Sequence, residues 1–158
     1  MPDLYHLLKF LHLLGAAILF GTGIGIAFFQ FIANRSHDAA AIAPILNIVV
    51  LADFVFTATA VVLQPVIGVA LAYVAGHSLL DGWLVASIAL YVAIGCCWLP
   101  VVVIQMRMRD LAVSAAADKT ALPARYHTLM RIWFFLGWPA FATILAIFWL
   151  MITRPGFG

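Results

Sequence analysis

Four long apolar stretches dictate what this chain can fold into. They run over residues 4–33, 44–75, 83–106 and 129–153, and each holds at most one Asp, Glu, Lys or Arg. A helix needs about 20 apolar residues to cross the hydrocarbon core of a bilayer, so every stretch is long enough to span. An unpaired backbone amide in lipid costs several kcal/mol, which excludes an open strand and leaves helices or a closed barrel. A barrel would alternate apolar and polar residues, and these stretches do not. The expected fold is all-α: a single transmembrane domain over residues 1–158, folded as a four-helix bundle.

Charge scarcity agrees. Only 9% of the residues are Asp, Glu, Lys or Arg and 66% are apolar, against about 25% and 45–50% in a soluble domain. Lipid must therefore replace water over most of the outside. The net charge of +2 and pI near 8.7 do not indicate nucleic acid, because so few basic residues in so apolar a chain make no basic face. Cys96 and Cys97 are adjacent and close no useful disulfide loop. The first charge is Asp3 and the apolar run after it is long, unlike a cleaved leader, so the first helix is expected to be retained.

Basic residues set the orientation. Arg35, Arg107, Arg109, Lys119, Arg125 and Arg131 fall on one side, and only Lys9 and Arg154 on the other. Positive residues stay inside, which predicts both termini outside. Pro65, Pro100 and Pro139 fall within spans and are expected to bend them. The connection from Arg107 to His127 is expected to be a loop with a short surface helix near residues 111–117. Trp83, Trp98, Trp133, Trp138 and Trp149 fall partly near span ends, as an interfacial belt would.

Ionisable groups inside a membrane are costly and mark functional positions. His6, Lys9 and His12 recur every three residues and share one broad helix face. His12 lies about 12 Å along the helix from Leu4, and imidazole is a common metal and haem ligand. The alternative for His12 is a hydrogen bond to another helix, with Lys9 and His6 reaching the headgroups. His77, in the turn on the same side, could supply a second ligand or simply be solvated. Asp53 is the carboxylate inside a span, with Arg131 entering from the same side. Their expected role is a structural ion pair, the alternative a proton relay. Gln30, Gln64, Gln105, Thr57 and Thr59 read as interhelical hydrogen-bonding groups. Cys96, Cys97, Met106 and Met108 are soft ligands suited to copper, though one helix alone does not converge them. Small residues at Gly15, Gly21, Gly23, Gly25, Gly68, Ala72, Ala75 and Gly76 suit close helix packing or room for a flat cofactor.

The run Lys9-Phe10-Leu11-His12 resembles the Lys-x-x-His near the start of the first helix in HemJ-type protoporphyrinogen oxidases, and the copper-resistance D membrane proteins show a related helix arrangement. Arg125-Tyr126-His127 through Pro139, with Arg154-Pro155 after the last apolar helix, resembles the end of such chains. Phe31-Ile32-Ala33-Asn34 stands where the oxidase helix ends in a second histidine. As a whole, the chain is similar to an uncharacterised family of bacterial integral membrane proteins. The resemblance implies a multi-pass protein of the bacterial inner membrane, in which the charge distribution places both termini in the periplasm. It also implies haem b or a related tetrapyrrole on His12, beside Lys9, with a redox role. Two other functions fit the residues: a non-catalytic membrane subunit or scaffold that docks a homo-oligomeric or other membrane partner, and a small ion or copper transporter. Whether the protein is an enzyme is left open by the sequence.

Overall fold

A computed structural model describes residues 2–156. Helix α1 (Pro2–Asn34) is followed by α2 (Ala39–Ala52), a π-helical segment (Asp53–Ala58), α3 (Thr59–Val74), α4 (Gly82–Ala117) and α5 (Ala124–Thr153). The segments from α2 to α3 form one continuous rod, so the described residues make four rods long and apolar enough to cross a membrane. No strand occurs among them.

The turns follow from local chemistry. Asp38 caps α2 by accepting a hydrogen bond from the Ala40 N–H at 3.0 Å, which satisfies a donor the first helical turn leaves free. Helix α2 thus begins before Pro44. Gly76 ends α3 in a left-handed conformation (φ 77°), while the His77 N–H reaches back to the Ala72 carbonyl at 3.0 Å and closes the helix end. Lys119 performs the same reversal after α4 at φ 52°, and the Thr120 N–H bonds the Ala115 carbonyl at 2.9 Å. The residues 107–117, expected as a loop with a separate short helix, are instead a continuation of α4. Met108, Ala112 and Ala115 recur at helical spacing and are all buried, so packing against the bundle carries the helix beyond the apolar run.

The bundle has two unlike ends. At the end holding the α1–α2 and α4–α5 loops, here the basic end, Ile42, Leu46, Met108, Ala112 and Tyr126 are fully buried in one core. Toward the other, terminal end α3 packs mainly on α1, and at the middle of the bundle Phe20 of α1 stacks on Phe141 of α5 with ring centroids 5.5 Å apart. Outward-facing Phe10, Leu13, Leu63, Phe135 and Trp149 are exposed along the rods, as a lipid-facing surface requires.

Of the small residues, Gly15 and Gly68 permit close approach. The Gln64 amide oxygen lies where a Gly15 side chain would begin, and a Cβ on Gly68 would stand 3.0 Å from the His12 ring. Gly21 and Gly23 face open space. The interior prolines remain within their helices. Pro65 has no N–H, so the Val61 carbonyl four residues earlier loses its helical donor. Tyr91 on α4 supplies one, its hydroxyl donating to the Val61 carbonyl at 2.6 Å.

Candidate functional site

The histidines of the terminal end are dispersed. Lys9 lies over the Tyr5 ring at 5.7 Å, and His6 meets the same ring edge-on at 5.4 Å. His12 sits one turn deeper, between α1 and α3. Its ring faces Gly68, its backbone carbonyl accepts the Gln64 amide N–H at 2.9 Å, and its Nδ1 is buried without a hydrogen-bond partner. His77 contacts other residues. Its Nδ1 lies 3.4 Å from the Asp81 carboxylate, its ring meets Trp83 edge-on at 5.3 Å, and its Nε2 accepts from Arg154 at 3.2 Å. Arg154 also lies over the Trp83 ring at 5.6 Å. His77 thus joins the α3–α4 turn to the end of α5 and does not join His12.

Asp53 and Arg131 do not form the ion pair expected of them. Among the described residues Arg109 pairs with Asp110, and the His77 ring contacts Asp81. Tyr126, Leu129, Met130 and Trp133 carry α5 into the core. Residue 131 is turned about 100° from residue 130, which leaves Arg131 exposed, lining a cleft with Asn34 and Met130. The soft side chains do not converge either. Cys96 is exposed, whereas Met108 is fully buried against Gln30. No three His, Cys, Asp or Glu side chains among the described residues are placed to hold a metal ion.

What the bundle does bring together is a set of polar groups around Asp53. The carboxylate begins the π-helical segment and is 4% exposed. A π-helical turn widens the helix by a residue and often marks a functional site. Thr57 from the same segment and Trp98 and Gln105 from α4 turn hydrogen-bonding groups toward the Asp53 carboxyl, yet Thr57 Oγ1, Trp98 Nε1 and Gln105 Oε1 find no hydrogen-bond partner within 3.5 Å. Toward the basic end, the Gln30 amide nitrogen reaches the sulfurs of Met108 and Met130 at 4.0 and 3.9 Å, tying α1 to α4 and α5. Gln30 Oε1, the Tyr126 hydroxyl and Trp133 Nε1 are also buried and unpartnered.

Such groups are rare in folded proteins, and each left unsatisfied costs about 1–3 kcal/mol. The seven unpartnered atoms of the basic half, Asn34 Oδ1 among them, would together rival the whole stability of a domain, about 5–15 kcal/mol. Their concentration therefore calls for ligands. In the sequence alone, Gln30, Gln105 and Thr57 read as interhelical hydrogen-bonding groups, and Trp98 and Trp133 as part of an interfacial belt. The spacing held the signal: residues 53 and 57 and residues 98 and 105 each share a helix face.

The whole of this site lies within a stretch that fits one family model. Residues 6–155 match the model described as a predicted integral membrane protein (DUF2269). No curated protein and no solved structure matched the chain. The match extends from α1 to the end of α5 and includes all four candidate spans nearly in full, so the chain belongs to this family of integral membrane proteins.

Proposed function

We propose that the protein handles protons within the bilayer, with Asp53 as the group that takes up and releases them. One observation carries this reading. Asp53 is buried on a π-helical turn, away from any cation, with the hydrogen-bonding side chains of Thr57, Trp98 and Gln105 turned to its carboxyl. A carboxylate at such depth is costly without a counter-charge, so the site needs either a cation or a proton. A metal ion would seek further His, Cys or carboxylate ligands, and the described residues offer no such group. A proton needs one carboxyl and neighbours that can accept or donate, which Thr57, Trp98 and Gln105 are. The basic end, with Arg35, Arg107, Arg109, Lys119, Arg125 and Arg131, faces the cytoplasm in this reading. Both termini are then periplasmic, in the inner membrane of a bacterium.

The test is proton flux into proteoliposomes carrying a pH-sensitive dye. The wild-type protein is expected to dissipate an imposed pH gradient and Asp53→Asn to lose that activity while keeping the thermal stability of the wild type. Equal flux from both proteins would refute the proposal.

A second reading has its own observation. The buried, unpartnered Nδ1 of His12 is a free imidazole nitrogen of the kind that ligates haem iron, and it keeps haem b as a cofactor for this chain. When bound, a haem would supply one-electron redox chemistry. His12 would hold it through Nδ1, its ring packed against the backbone of Gly68. A Soret band on reconstitution with haem, lost in His12→Ala, supports this reading. A colourless protein, or a band indifferent to His12, removes it.

A further inference from the structure

We propose that a file of bound water runs through the basic half of the bundle and joins Asp53 to that end of the molecule. This deepens the proton-handling reading and rests on it for its purpose, although the water itself can be detected without it.

The path is traced by contacts. Asp53 neighbours Gln105 on α4. Gln105 lies one turn from Met108, whose sulfur receives the Gln30 amide, and Gln30 also reaches Met130 on α5. Trp133 lies one turn from Met130 on one side and Tyr126 one turn on the other. Gln30, Gln105 and Tyr126 are at most 1% exposed, and each carries a polar atom without a partner. Asn34, a turn beyond Gln30, has an unpartnered oxygen as well and, beside Arg131, forms the polar rim of a shallow surface cleft of about 170 Å³ otherwise lined by Phe31, Met130, Phe134 and Phe135. The polar rim at Asn34 and Arg131 is the mouth of the path.

The chemistry of the atoms selects the ligand. Gln30 Oε1 and Gln105 Oε1 only accept hydrogen bonds, Trp98 Nε1 and Trp133 Nε1 only donate, and the Tyr126 and Thr57 hydroxyls do both. A metal cation would satisfy the oxygens and repel the indole N–H groups. An anion would do the reverse. Water donates and accepts, and buried water characteristically makes about three hydrogen bonds to groups of this kind. Along such a file, the Asp53 carboxyl gives its proton to the adjacent water and becomes a carboxylate. One O–H bond then forms and one breaks at each successive water until the proton leaves at the mouth, and uptake runs the same steps backward. Arg131 at the mouth opposes entry of hydrated metal cations. Among the unpartnered buried atoms of the described residues, the terminal half contributes only His12 Nδ1, so the bound water is concentrated on the basic side of Asp53.

Radiolytic footprinting of the protein in lipid nanodiscs tests this, because hydroxyl radicals form in place from bound water. Met108, Met130, Tyr126 and Trp133 are expected to be oxidised about as readily as an exposed loop side chain despite their burial. Gln105→Leu should abolish the labelling of Met108 and slow proton flux while leaving the protein folded. Protection of all four side chains in the wild type overturns the inference. Labelling of the core with flux indifferent to Asp53→Asn leaves the water file standing and removes the proton role. Flux that depends on Asp53 through a dry core does the opposite.

Discussion

Removing the Tyr91 hydroxyl should destabilise the bundle only because Pro65 is present. Pro65 deprives the Val61 carbonyl of its helical partner, and Tyr91 donates to that carbonyl across the α3–α4 boundary at 2.6 Å. In Tyr91→Phe the carbonyl is left in apolar surroundings. An unsatisfied buried acceptor costs about 1–3 kcal/mol, whereas membrane interhelical hydrogen bonds average about 0.6 and reach about 1.7 kcal/mol. The carbonyl has no alternative helical donor, so the expected cost is near the upper end of the membrane range, about 1–2 kcal/mol. Pro65→Ala restores an N–H at the correct position, and in that background Tyr91→Phe should cost about 0.5 kcal/mol or less. The four proteins form a double-mutant cycle with an expected coupling of about 1 kcal/mol. Reversible unfolding in mixed micelles, followed by circular dichroism, gives each free energy. An equal cost of Tyr91→Phe in both backgrounds would show that the hydroxyl does not replace the missing helical donor.

Two glycines of α1 should respond oppositely to the same substitution. Gly15→Ala places a Cβ where the Gln64 amide oxygen lies and displaces its 2.9 Å hydrogen bond to His12; the lost bond and crowding outweigh the roughly 1 kcal/mol of helix propensity gained, for a net loss of about 1–2 kcal/mol in the same unfolding assay. Gly21→Ala meets nothing within 4 Å and should be neutral or stabilising by up to about 1 kcal/mol; a loss at Gly21 matching that at Gly15 would contradict the packing described between α1 and α3.

Fold class was legible because a bilayer leaves a sequence so few options: four apolar runs of spanning length can only be helices. The ends of those helices were less so. Pro44 read as a start, while the Asp38 cap had already begun α2 five residues earlier. Arg107 read as a stop, although α4 continues as long as Met108, Ala112 and Ala115 find a core to bury against. Lys9 and His12 attracted notice at the sequence level because they are ionisable, yet three-dimensional packing sends Lys9 to Tyr5 and His12 to Gly68. Asp53 was visible as a buried carboxylate. Its neighbours were not, since Trp98 and Gln105 reach it from another helix and the facing of α5 turns Arg131 away. The rod that carries Asp53 packs on α1 and α4, whereas α5 packs mainly on α4, so the expected ion pair gives way to the polar cluster that is present.

The central claim is that the Asp53 carboxyl exchanges a proton inside the membrane, and infrared difference spectroscopy across a pH jump observes that carboxyl directly. The account predicts a carboxylic acid C=O band that appears on acidification, shifts in heavy water and is missing from Asp53→Asn. A spectrum identical in the wild type and Asp53→Asn would contradict it.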